Sequence, residues 1–179
     1  MTRMKRKSVP APNKSASPRR SKRLRIVLRV EEWRWRRNAE TLKWIRRAAR
    51  MAAKSAGSPH GTLTILLTDD TVLEELNRRF RGKPKTTNVL SFPSPDPAYL
   101  GDIAIAYGIV AREARAQGKR IKTHAAHLVI HGVLHLRGYD HRRRPDASVM
   151  EALEARILAR LGFPNPYSDK LYRGKGKAA

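Results

Sequence analysis

The sequence predicts an α+β fold: one domain, with a small mixed sheet and about five helices. Three observations lead there. Short stretches alternating apolar and polar residues are interleaved with longer ones whose apolar residues recur every three or four positions. No segment repeats. The apolar residues, 40% of a 179-residue chain, crowd into its middle, which supports one core rather than several.

Each element has a local reason. "LRIVLRV", Leu24 to Val30, alternates as a strand should. In "AETLKWIRRAARMAAKSAG", Leu42, Ile45, Ala49 and Ala52 or Ala53 fall at helical spacing, and Gly57 is a stop signal. "GTLTILLTDD" reads as a strand, and Asp69 or Asp70 can cap the helix "TVLEELNRRFRG", which ends around Gly82. "TNVLSFP" is a short strand before a Pro-rich loop. "LGDIAIAYG" is another, with Ile103 and Ile105 on one face. "IVAREARAQGK" reads as a helix to Gly118, and "KTHAAHLVIHGVLHLRG" as a buried helix ending at Gly138. "PDASVMEALEARILARLG" is the last helix. Pro145 suits its first turn, Val149, Leu153 and Ile157 form one face, and Gly162 stops it.

The expected division is a disordered basic arm over 1–23, a folded domain over 24–166 and a basic tail over 167–179. The arm is rich in Ser, Pro and basic residues and lacks the apolar core of a secretory signal. Its composition is that of an organellar transit peptide, but Pro10, Pro12 and Pro18 oppose the amphipathic helix such a peptide needs. No run of 18 apolar residues exists, so no membrane-spanning helix is expected. Cysteine is absent, which removes disulfides, thiol catalysis and cysteine-bound zinc, and is compatible with a cytoplasmic location. Lys and Arg number 39 against 15 Asp and Glu, a formal net charge of +24. Ten of those bases lie between Arg3 and Arg25, yet the remainder is still strongly basic. Such a surplus points to a polyanionic partner, above all nucleic acid.

Of six histidines, five lie between His124 and His141. His131 and His135, four apart, share one helix face a turn apart. Gly138 tolerates positive φ, so the helix can end there and the chain fold back, bringing His141 under the other two. Three neutral nitrogens with a free fourth position describe a catalytic zinc site, one ion per chain, rather than a closed structural one. His127 lies on the same face, but its eight residues to His135 span roughly 12 Å along the axis, too far for one ion. It is left as a group facing substrate or supporting the ligands, or as a packed core histidine. His124 receives no role. A helix lined by Leu128, Val129, Ile130, Val133, Leu134 and Leu136 rarely buries imidazoles without a partner.

The spacing resembles the metzincin proteases, HExxHxxGxxH, with one departure: their glutamate is Gly132 here. Without that base, peptide cleavage is disfavoured. Zinc alone acidifies water to near pH 7, and phosphodiester hydrolysis needs such a nucleophile together with cations on the phosphate oxygens.

Taken together, "HGVLHLRGYDH", "RGKPKTTNVLSFP" and "LGDIAI" resemble the YbeY family, the zinc-dependent endoribonucleases of bacterial ribosomal RNA maturation. The resemblance runs from about Thr62 to Tyr167 and takes in "LEELNRRFRG" and "MEALEARIL". It implies a compact α+β domain with a zincin-like metal helix. It also implies His131, His135 and His141 as zinc ligands and Arg81 as the functional arginine. The substrate it implies is single-stranded RNA within ribosomal precursors, at the 16S rRNA 3′ end, with the small ribosomal subunit as partner. Arg81 suits a phosphate clamp, since guanidinium binds phosphate oxygens in pairs; the plain alternative is an exposed arginine at a helix end. The sequence departs from the family at "PKTT", Pro84 to Thr87, where Asp-Lys-Pro-Thr is usual, and at Asp146, where Glu is usual.

Two carboxylates have two readings each. Asp140 can orient a ligand imidazole through its other ring nitrogen, or cap the turn. Asp102 can accept from a histidine ring, or serve a turn. Two other functions compete with the nuclease: a non-catalytic ribosome-assembly factor whose metal only holds the fold, and a metalloprotease-like hydrolase.

Overall fold

In the computed structural model, residues 23–57 and 60–168 are described. The expected arm, Arg23 excepted, and the tail beyond Ser168 lie outside them.

Four strands, β1 (Arg25–Val30), β2 (Thr62–Thr68), β3 (Val89–Pro93) and β4 (Tyr99–Ala106), form one sheet in the order β1-β2-β4-β3. β1, β2 and β4 run parallel, and β3 pairs antiparallel on the β4 edge. Among the described residues there are six helices: α1 (Trp33–Arg36), α2 (Ala39–Ser55), α3 (Asp70–Arg81), α4 (Tyr107–Ala116), α5 (Ile121–Leu136) and α6 (Arg144–Arg160). The expected mixed sheet and five helices are present, with α1 additional. That single turn carries no periodic signal. It is held by Trp35, fully buried, whose ring nitrogen donates to the Thr68 carbonyl and whose ring meets Tyr107 edge-on.

Strand alternation sorts the side chains onto two faces. Ile103 and Ile105 of β4 join Leu63, Ile65 and Leu67 of β2 in the main core beneath α2 and α5. Ala104 and Ala106 turn the other way, to Leu73 of α3 and Leu90 of β3. α5 is apolar nearly all round because it runs through the middle: Ala125, Val129, Ile130, Val133 and Leu134 are fully buried. Gly132 lets it sit close to the sheet; a Cβ there would lie 3.0 Å from Ile103 Cδ1 and 3.1 Å from Ser91 Oγ.

The caps follow the sequence. Asp69 accepts from Val72 N at 2.9 Å to begin α3, and Gly82, at φ 65°, ends it. On α6 the expected face holds at Ile157, which is buried, and at Leu153, which packs against the core, but not at Val149. Val149 is 59% exposed, and the buried positions are Met150, Glu154, Ile157 and Leu158.

Candidate metal centre and its cleft

α5 carries His127, His131 and His135 along one half-exposed edge. At its end Gly138 takes φ 82°, and Tyr139 N donates back to the Leu134 carbonyl, so the chain reverses. The reversal places His141 beside the other two rings, 5.3 Å from His131 and 5.0 Å from His135 between centroids. One nitrogen from each of His131, His135 and His141 lies within 4.8 Å of the others. The Nε2 atoms of His131 and His135 are 3.0 Å apart. Two nitrogens sharing a tetrahedral ion at about 2.1 Å stand ~3.4 Å apart, so the spacing suits a common metal.

Protonation favours the same use. Burial, aided by the charges of His131 and His141, pushes the pKa of His135 down to about 4, so its imidazole is neutral at pH 7 and able to ligate. His131 is oriented by Glu154 on α6, whose Oε1 is 2.8 Å from His131 Nδ1. Burial alone would raise the Glu154 carboxyl, but hydrogen bonds from His127 and His131 overcome it and hold the pKa at about 2. An ionised carboxylate only accepts, so His131 carries its proton on Nδ1 and turns the Nε2 lone pair towards His135 and His141. A carboxylate behind the ligand, a neutral ring and convergent nitrogens together fit a divalent ion.

Glu154 is 1% exposed and serves two further groups. His127 Nε2 is 3.0 Å from its Oε2, and the Tyr167 hydroxyl donates to the same oxygen. His127 thus reaches the three histidines through Glu154, consistent with its distance from His135. Tyr167, the first residue of the expected tail, packs edge-on against the His127 ring.

The histidines open onto a cleft of about 790 Å³ that Arg81, Lys83 and Arg142 also line. Arg81 is the last residue of α3 and is exposed. The departing loop after it is held by Asn77, a buried amide whose Nδ2 donates to the Lys85 carbonyl at 2.7 Å. A second pocket, of about 370 Å³, adjoins the cleft beside His127 and Glu154. Asn88 stands on both, its amide donating to Glu113 at 2.9 Å, and Glu113 is 2.7 Å from His124 Nε2.

The two expected carboxylates part company: Asp140 lines the cleft with the histidines, and Asp102 stands away from it. Asp102 lies on β4 with the parity of Ala104, so it faces away from α5; it accepts from the Tyr99 hydroxyl and lines a groove with Phe80 and Phe92. Among the described residues no histidine lines that groove. Asp140 takes the capping role: its Oδ1 accepts from the His141 backbone N at 2.7 Å, and Oδ2 is 3.4 Å from Arg142.

Comparison with known proteins bears on the same residues. A family model described as Endoribonuclease YbeY matches residues 29–162, which includes every residue of the metal centre. The chain belongs to the endoribonuclease YbeY family. Among its relatives in that family is an endoribonuclease YbeY of Rhodopseudomonas palustris strain HaA2, 46% identical over 160 residues covering 81% of each chain. Another, from Chelativorans, is 48% identical over 124 residues, covering 65% of this chain and 76% of the relative. The solution structure of TM1509 from Thermotoga maritima shares the fold, with a TM-score of 0.53 at 22% identity, covering 87% of this chain and 99% of that one.

Proposed function

We propose that this YbeY-family chain is a zinc-dependent endoribonuclease that cuts single-stranded RNA during ribosomal RNA maturation, at the 3′ end of 16S rRNA. The observation carrying this reading is the convergence of His131, His135 and His141 within 4.8 Å, in a cleft that Arg81 also lines. Those three imidazoles would hold the ion, and three nitrogen donors suit zinc. Bound there, zinc supplies Lewis acidity and an acidified water.

The protein's own groups do the remainder. The Arg81 guanidinium grips two non-bridging phosphate oxygens, and Lys83 and Arg142 add positive potential along the cleft. Glu154 keeps the His131 proton on Nδ1, while His127 and Tyr167 hold Glu154 in place. Position 132 offers no carboxylate, and a Cβ there would press on Ile103 and Ser91, which sets this centre apart from a metzincin protease.

The partner would be precursor rRNA carried on the small ribosomal subunit, and the location cytoplasmic. No helix among the described residues is long and apolar enough to cross a membrane. The test is cleavage of a labelled single-stranded RNA against the matching duplex. Zinc-loaded protein should cut the single strand and spare the duplex. No cleavage of either, with the fold and metal intact, would leave a non-catalytic assembly role instead.

A further inference from the structure

The basic surplus is not spread evenly over the helices. α3 and α6 each carry three acidic and three basic residues, whereas α2 carries Glu40 against Lys43, Arg46, Arg47, Arg50 and Lys54. Four of those five are exposed: Lys43, Arg47, Arg50 and Lys54. At 3.6 residues per turn they fall within about 60° of one another, in a stripe roughly 16 Å long. The opposite face, Ile45, Ala48, Ala49, Ala52 and Ala53, is fully buried, so the helix cannot turn the stripe inward.

Like charges three and four apart destabilise a helix. Here the acid that could relieve them is withdrawn, because Glu40 pairs with Lys122 of α5. Among the described residues none of the four forms an ion pair with a carboxylate; Arg47 rests on the Trp44 ring instead. Trp33, 57% exposed with Arg37 over its ring, stands just before the helix. Cations in a row, with an exposed aromatic residue ahead of the helix, suit a nucleic-acid strand, whose phosphates track the charges and whose bases can stack.

Orientation ties the stripe to the site. The Glu40–Lys122 pair joins the first turns of α2 and α5. α2 carries the chain from the end of β1 back to the start of β2, which pairs with the start of β4 through Thr62 and Tyr99, and Leu136 at the end of α5 lies against Gly101 there. The two helices therefore run in the same direction, and Lys54 lies toward the end of α5 that bears the histidines.

We propose that the exposed face of α2, through Lys43, Arg47, Arg50 and Lys54, is a second RNA-binding surface that holds substrate backbone away from the bond being cut. This rests on the RNA reading of the cleft. The test compares the parent with a variant combining Lys43→Gln, Arg47→Gln, Arg50→Gln and Lys54→Gln, checked to melt no lower than the parent. Binding of an unstructured RNA of about 30 nucleotides is followed over a salt series on metal-free protein. Losing four phosphate contacts should make the slope of log K against log salt shallower by about 3. Cleavage of that RNA should then show a raised KM, while an RNA of about 6 nucleotides, too short to span both surfaces, is cut as by the parent. An unchanged slope, or equal losses on both RNAs, would overturn the proposal. So would polyglutamate of equal charge displacing the RNA as well as RNA itself does. If the parent cuts neither RNA, the nuclease reading fails, and the slope still decides the stripe.

Discussion

Glu154 Oε1 lies 2.8 Å from His131 Nδ1, and this buried contact fixes which nitrogen of His131 faces His135 and His141. A carboxylate with a pKa held at about 2 can only accept, so the tautomer follows from α6 and not from α5 itself.

Glu154→Gln should therefore weaken metal binding while leaving the ligands in place. A neutral amide no longer demands the proton on Nδ1, and losing such a partner typically costs 10- to 100-fold in affinity. Competition with a zinc-binding dye measures it. Parent-like affinity would mean that the contact does not tune the site.

Arg81 and His131 should separate binding from chemistry. Arg81→Ala should keep its metal and lose about 100- to 1,000-fold in RNA cleavage, the usual effect of removing one charge-stabilising donor. His131→Ala should lose both. Metal content and turnover measured on one preparation distinguish them, and an Arg81→Ala variant cutting at the parent rate would remove the phosphate clamp from the account.

Gly132→Glu writes the metzincin pattern into this chain, yet it should not create a protease. A Cβ there meets Ile103 and Ser91 near 3 Å, and the carboxylate beyond it would be driven into the core. Overpacking plus a buried charge predicts a loss of about 2 kcal/mol or more. Thermal melting and a casein assay check this; a stable, casein-cleaving variant would contradict it.

His124 predicts a pH dependence. Burial pushes its pKa below the ordinary value, only partly opposed by Glu113. The unfolded chain thus takes up a proton near pH 6.5 that the folded chain refuses. The stabilising contribution is complete above about pH 6.5 and is lost as pH falls through the lower folded value. The parent's melting temperature should drop more than that of His124→Gln on going from about pH 7.5 to 5. Equal drops would assign the acid sensitivity to other groups.

How legible the centre was depended on where each residue sits along the chain. His131, His135, Gly138 and His141 lie within eleven residues, and one helix turn with one glycine suffices to bring them together. Glu154 is as close to His131 in space but belongs to another helix, and its charge disguised it. An acid among Met150, Ile157, Leu158 and Leu161 makes the buried face of α6 look polar, and the apolar spacing runs instead through Val149, Leu153 and Ile157. That misplaced acid was itself the available signal, since a carboxylate at a core position needs a partner. Asp102 failed for a related reason. Alternation puts it on the face opposite Ile103 and Ile105, but which face meets α5 depends on packing between distant segments. The small helix α1 is set by a tertiary anchor, Trp35 on Thr68 and Tyr107, and has no local signature.

The central claim is that three imidazoles hold one divalent ion on which RNA cleavage depends. Metal content and single-stranded RNA cleavage, followed on one sample before chelation, after it and after zinc is restored, test that claim most directly. One equivalent of metal is expected, with cleavage abolished by its removal and regained with zinc. Undiminished cleavage by metal-free protein would contradict it.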